Sequence, residues 1–408
     1  MKFYYENQNF KEVFNGNNTC SLSLLDIYYG HKNPIFELDD DNVIIWQFNI
    51  EIGLSAEKLD SNIIFYKDAF SKIKNRLNIK LVFTSFQEGA NQYNFLKRLV
   101  SLKNEFNLDK KQVVVITPNF YANNFNEDIT IICKPYLMGD LCEGYKKTLV
   151  NPTIHNNEEI NISTVENYLT TKKDKFFLSY NKNATRMQRT KFILWLIKTK
   201  LIDDSMISLL IKLDKSSANY FNSDYPELCD LNRYFGEMMR MGHVVLDWDY
   251  PQNGVEDLFG STRYTTMSHY GKTLFNVVTE TSFTNDTLFL SEKTFKPIAN
   301  CHPFLVIGDY NINKELIKLG YSLYEDLIDY SFDSIYDNDE RLNAVFVEIK
   351  RIHSLGKDYI MNWYKNNVDK IKSNRDVFFN YKSLNDMILK TLNELDEVKE
   401  IKECRTII

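Results

Sequence analysis

The chain has 408 residues, 44% hydrophobic and 25% charged, enough for two domains with separate cores. A formal charge of −6 argues against a nucleic-acid footprint, so no nucleic-acid partner is expected. No apolar run approaches the roughly 18–20 residues that cross a bilayer, so no transmembrane segment is expected either.

Residues 1–40 read as irregular and polar, and Asp39-Asp-Asp41 as a turn or a solvated face. Val43–Phe48 is a first buried strand. Asn62–Leu77 has helical spacing, Lys80–Thr84 is a second strand, and a helix follows from about Asn91 to Phe106. Val113–Thr117 and Ile129–Cys133 are further strands. This β-α alternation predicts a parallel, doubly wound sheet, and the lack of GxGxxG speaks against a typical dinucleotide domain. Ligands of open α/β sheets sit outside the carboxyl ends of the strands. Glu88 falls there, shortly after Thr84. The alternative for Glu88 is a helix-start carboxylate that interacts with the helix dipole.

Residues 140–172, rich in Asn, Thr and Glu, read as a linker. Lys175–Tyr180 opens a second sheet. The small polar loop Asn181–Thr185 leads into a helix that begins with Arg186 and Arg189. Arginine's planar fork suits phosphate oxygens, although a solvated basic face has the same spacing. Met206–Ile211 reads as a strand, Glu227–Met241 as a helix, and His243–Leu246 as a strand ending in Asp247-Trp-Asp249. The polar, aromatic stretch Gly254–Lys272 offers Tyr264 as a wall for a base or a sugar. Thr273–Thr279 is a strand, and Glu280 ends it.

Ser291 is an N-cap, with Glu292 and Lys293 in the first helical turn, and Pro297 kinks or ends that helix. A helix start offers N–H groups and partial positive charge to a phosphate. Lys293, with Lys296 behind it, adds full charge, and Glu292 can accept from sugar hydroxyls. An ordinary capped helix with a surface ion pair is the alternative. Phe304–Ile307 is a buried strand stopped by Gly308. Helices follow at Asn313–Leu319, Leu342–Ile352, Asp358–Ile371 and Leu384–Ile401. The six cysteines show no CxxC spacing, and neither a zinc ribbon nor a disulfide framework is indicated.

The runs Val277-Val-Thr-Glu-Thr-Ser-Phe283, Leu290-Ser-Glu-Lys293 and Pro303–Gly308 resemble the donor-binding segment of the α-1,3-fucosyltransferases, glycosyltransferase family 10. The resemblance implies an α/β GT-B fold: two Rossmann-like, doubly wound domains facing a cleft, with C-terminal helices. The expected domains are 1–165 on the acceptor side, 172–370 on the donor side, and a helical tail at 371–408. It also implies an inverting, metal-independent transfer of a sugar from a nucleotide sugar, with GDP-fucose as the family's donor, to a glycan or other hydroxyl acceptor. Thr279 and Thr281 flank Glu280 where the family has Phe and Asn, and Phe289 stands where it has Tyr. With these departures the resemblance carries a nucleotide-sugar donor better than it carries fucose, and GDP-fucose stays open as the donor.

In this reading Glu88 matches the family's catalytic base in its place after a strand. Arg189, rather than Arg186, matches the arginine that grips the diphosphate. Glu280 and Glu292 orient sugar hydroxyls, and Lys293 and Lys296 complete the cationic donor site with Tyr264 beside it. No cofactor or metal is required. Two alternatives stay open. Asp247 and Asp249 could hold Mn²⁺ or Mg²⁺ on the donor phosphates, as in metal-dependent glycosyltransferases. The chain could also be a non-catalytic nucleotide- or glycan-binding protein of the same fold. Met1–Glu6 has no apolar signal-peptide core, and the thiols look reduced. Both lead to the expectation of a cytoplasmic protein, in a bacterium or in the cytosol of a virus-infected host.

Overall fold

A computed structural model of the chain describes residues 2–5, 44–49, 67, 69–77, 79–84, 93–133, 135, 138, 141–142, 145–146, 149, 153–155, 158–160, 162–183, 186–210, 223–242, 244 and 267–381. Two compact units emerge, with the division between Gly139 and Asp140. Both are α/β, built on parallel sheets. Among the described residues, no helix is long and apolar enough to cross a membrane.

The first unit holds a five-stranded parallel sheet of β1 (Lys2–Tyr5), β2 (Ile44–Asn49), β3 (Ile79–Thr84), β4 (Val113–Thr117) and β5 (Thr130–Cys133). Helix α1 (Tyr93–Glu105) buries Phe95, Leu96, Leu99 and Leu102, the one-sided stripe that a 3.6-residue period demands. Against it stand Leu81, Phe83, Val113 and Val115, with Phe70 and Ile73 closing the same core. Gln112 ties the core's rim together, donating to the carbonyls of Ile73 and Arg76 at 3.2 and 3.0 Å.

Two sequence expectations change here. Residues 2–5 form a strand within a stretch read as irregular. Four residues are too few for a periodic pattern, and the strand is defined by its parallel register with β2. Among the described strands the sheet order, β1-β2-β3-β4-β5, is also sequential, without the reversal expected of a doubly wound sheet. Alternation of strands and helices predicts parallel pairing but leaves strand order open.

The second unit covers Asp140–Tyr381. A small antiparallel hairpin, β6 (Thr153–His155) and β7 (Glu158–Ile160), precedes helix α2 (Val165–Thr170). The stretch read as a linker is therefore partly structured. Tyr168 of α2 stacks on Tyr364 at 3.7 Å between ring centroids, and its hydroxyl donates to the Leu274 carbonyl at 2.7 Å. A composition rich in Asn and Thr had hidden these anchors.

The main sheet of this unit contains β8 (Lys175–Asn183), β9 (Ser205–Leu210), β10 (Thr273–Thr279) and β11 (Phe304–Ile307), in the order β11-β10-β8-β9 and all parallel. Every residue of β10 and β11 is buried, as expected of strands covered on both faces. The helices are α3 (Met187–Lys198), α4 (Phe235–Met241), α5 (Met267–Lys272), α6 (Glu292–Ala299), α7 (Ile312–Lys318), α8 (Asn338–Ser354), α9 (Gly356–Asn366) and α10 (Val368–Asn380).

Several boundaries differ from the sequence reading. The helix expected at Glu227–Met241 is confined to α4, preceded by a 3-10 turn at Leu231–Tyr234 whose cap, Asp230, has a φ of 58°. Of the strand expected at His243–Leu246, Val244 is described, and it makes an isolated antiparallel bridge to Leu209. The single helix expected at Asp358–Ile371 is interrupted at Asn367, whose side chain donates back to the Trp363 carbonyl at 3.1 Å. Such local side-chain bonding competes with helix continuation. The helix expected at 384–401 lies outside the described residues.

Candidate functional site

The order β11-β10-β8-β9 contains a reversal. From β8 the chain moves to β9 on one side and then returns to β10 on the other. Such a reversal leaves a crevice outside the carboxyl ends of the two central strands, where ligands of open α/β sheets bind. Among the described strands, this reversal occurs in the second unit, between β8 and β10.

Polar groups converge at this place. The Thr279 hydroxyl donates to Asn181 Oδ1 at 2.5 Å, and Asn181 Nδ2 donates to Ser179 Oγ at 2.9 Å, so the strand ends are joined by buried side chains. The first turn of α3 is fastened to the end of β10. Gln188 Nε2 donates to the Glu280 carbonyl at 2.8 Å, and an Arg189 Nη donates to the Thr279 carbonyl at 3.2 Å. Arg189 is thus a buried cation at the switch point. Arg186, the N-cap residue of α3, is exposed.

Glu280 is wholly buried at the end of β10. One carboxylate oxygen accepts from the Ser291 amide at 3.1 Å and the Thr294 hydroxyl at 2.5 Å. The other accepts from the Thr281 amide at 3.1 Å. The sequence reading had this carboxylate orient a sugar hydroxyl. In the structure it instead clasps the start of α6 to the strand. Burial of a carboxylate demands such donors, and the helix start supplies them.

Helix α6 starts where the sequence reading placed it. Ser291 Oγ accepts from the Lys293 amide at 3.3 Å. Pro297 sits inside the helix, which runs on to Ala299. Glu292 is buried, and Lys293 Nζ donates to its Oε1 at 2.6 Å. Burial alone would raise the Glu292 pKa. The charge of Lys293 first, and of Lys296 next, outweighs it and holds the carboxyl at about 2. Lys296 is itself buried, with Nζ 5.7 Å from the Tyr180 ring centroid. The Tyr180 hydroxyl lies 3.2 Å from His269 Nδ1. One helical turn thus presents an ionised carboxylate between two lysines.

Sequence reasoning passed over Gln188, Asn181, Thr294 and Asp309. Asp309 follows Gly308 at the carboxyl end of β11 and accepts from the amides of Thr284 and Phe289 at 2.8 and 3.1 Å. Burial pushes its pKa up to about 6 against those hydrogen bonds. The rule that places Glu88 and Glu280 at strand ends applies equally to Asp309 and could have found it.

Glu88, Tyr264, Asp247 and Asp249 lie outside the described residues, as does Asp39-Asp-Asp41. Among the described residues, no three His, Cys, Asp or Glu side chains converge as a metal site. In comparisons with known proteins, no family model matches the chain and no curated protein matches it.

Proposed function

We propose that the protein is a glycosyltransferase whose second unit binds the diphosphate of a nucleotide sugar outside the carboxyl ends of β8 and β10. The carrying observation is the trio of buried Glu292, buried Lys296 and half-buried Lys293, on a helix start that Glu280 holds to the end of the switch-point strand. Lys293 and Lys296, with Arg189 beside β10, supply the positive charge that a departing nucleoside diphosphate requires. Because this charge is fixed and partly shielded from water, it acts more strongly than the same groups would in solvent.

In this reading the ionised Glu292 accepts hydrogen bonds from hydroxyls of the sugar. Glu280 is a positioning residue, and Arg186 meets the outer end of the diphosphate. The acceptor hydroxyl attacks the anomeric carbon as Glu88 takes its proton, and the bond to the diphosphate breaks with inversion. The reading brings with it the GT-B arrangement of the fucosyltransferase resemblance, and no step calls for a metal.

A thermal-shift panel of GDP, UDP, GDP-fucose and UDP-sugars, each with and without EDTA, tests the reading. A ligand that binds the native state raises the melting temperature by mass action. The expected result is stabilisation by one nucleoside diphosphate and its sugar, retained in EDTA and lost in Lys293→Ala and Lys296→Ala. Stabilisation that needs a divalent ion would transfer the role to Asp247 and Asp249. Donor binding without turnover on any acceptor would indicate a binding protein. A flat panel would overturn the reading.

A further inference from the structure

The connection from β10 to α6, residues 281–290, has no regular secondary structure and contains neither glycine nor proline. Even so, Thr281, Ser282, Thr287, Phe289 and Leu290 are buried. A buried irregular segment must find partners for its backbone groups. Here the amides turn to two carboxylates at the ends of adjacent strands. Glu280 takes the amides of Thr281 and Ser291. Asp309 takes those of Thr284 and Phe289. The Thr284 carbonyl accepts from the Tyr310 amide at 3.0 Å. Inside the loop the hydroxyls of Ser282 and Thr284 both meet that of Thr287, at 2.7 and 2.5 Å.

A third anchor comes from α8. Arg341 is buried and donates to Asn285 Oδ1 at 3.0 Å and to the Thr284 carbonyl at 3.4 Å. It also donates to the Ile335 carbonyl at 2.8 Å and Asn338 Oδ1 at 2.6 Å, and its guanidinium lies 4.5 Å from the Phe283 ring centroid. The loop's shape is therefore imposed from outside, by Glu280 on its two ends, by Asp309 on Thr284 and Phe289 within it, and by a guanidinium on its outer turn.

We propose that Asp309 is a positioning residue of the donor site: from the end of β11 it clasps the connection 281–290, with Arg341 locking the outer turn, so that Glu292 and Lys293 are presented in fixed geometry. The proposal rests on the donor reading of Glu292 and Lys293. Asp309→Asn replaces an acceptor by a donor facing amides, whereas Asp309→Glu keeps both acceptor oxygens.

Two measurements on the full chain test it: amide hydrogen exchange across 281–293, and calorimetric binding of GDP and UDP. Asp333→Asn is the control. Asp333 is another buried carboxylate that accepts backbone amides, those of Asn313 and Lys314 at the start of α7. In Asp309→Asn, the Thr284 and Phe289 amides are expected to exchange about tenfold faster or more, and the bound diphosphate to weaken about tenfold, the loss of one well-made hydrogen bond. Asp309→Glu should recover part of both, and Asp333→Asn should leave both unchanged despite a comparable loss of stability. Unchanged exchange at Thr284 and Phe289 in Asp309→Asn overturns the clasp. Faster exchange with unchanged affinity overturns the positioning role. If the wild type binds neither diphosphate, the donor reading falls, and the exchange arm alone then decides the clasp. Should Asp309→Asn fail to fold, Asn285→Ala removes one Arg341 contact at a partly exposed position and reads the same amides.

Discussion

Lys293 Nζ lies 2.6 Å from Glu292 Oε1, in a pair whose side chains are only 16% and 9% exposed. Neighbouring residues of one helical turn rarely form so enclosed a pair without a reason, because desolvating both charges is costly. We expect Lys293→Ala and Lys296→Ala each to weaken nucleoside diphosphate binding by about tenfold or more, in line with lost charge-assisted contacts. Lys191→Ala is the comparison. That lysine is as buried as Lys296 but committed to Asp339 on α8 at 2.6 Å, so its removal should lower stability and spare binding. Calorimetric titration and urea unfolding separate the two effects.

The Glu280 carboxylate should matter more to stability than its place at the end of a strand suggests. Glu280→Ala leaves the amides of Thr281 and Ser291 and the Thr294 hydroxyl without their acceptor. A cost of about 3 kcal/mol is expected, at the upper end for orphaning buried donors. Urea denaturation measures it. A loss well under 1 kcal/mol would mean that water or another group replaces the carboxylate.

His302 makes the fold sensitive to acid. Burial, with the charge of Lys173 adding to it, holds this imidazole at about 3, far below its ordinary 6.5. The unfolded chain therefore takes up a proton below 6.5 that the folded chain refuses, and stability falls as pH drops from 6.5 toward 3. At pH 5 the loss from this residue is about 2 kcal/mol. Asp309 acts with the opposite sign. Its folded value of about 6 exceeds the ordinary 3.8, so its contribution declines as pH rises between those values. Urea unfolding from pH 4 to 7 should therefore show a weaker acid loss in His302→Gln and a stronger one in Asp309→Asn.

Gly308 is a packing requirement. A Cβ built there would lie 2.6 Å from Ile312 Cδ1, 3.3 Å from Val306 Cγ1 and 3.4 Å from Glu280 Cβ. Gly308→Ala is expected to destabilise by about 1–2 kcal/mol through overpacking. Ile312→Val removes the nearest atom, so the double variant should be more stable than the sum of the singles predicts. A double-mutant cycle in urea checks this coupling. Simple additivity would show that the backbone moves instead.

The sequence by itself determined the strands that are buried on both faces. β4, β10 and β11 appear where their apolar runs lie, because such runs can be satisfied only inside a parallel sheet. It also determined the start of α6, because Ser291 caps its own chain neighbours, and the pairing of Glu292 with Lys293, which are adjacent. Only the tertiary structure decided what depends on distant partners. The β8–β10 reversal is a matter of strand order, to which local periodicity is blind. Glu280 looked like a free carboxylate at a strand end, but the loop returns Ser291 and Thr294 to it. The strand-end rule could mark Asp309 as a candidate but not its partners, and Arg341 showed no pattern at all, because each acts across a long stretch of chain on a loop that cannot hold its own shape. Local chemistry is written in neighbouring residues, whereas buried polar groups take their meaning from whatever the fold brings against them.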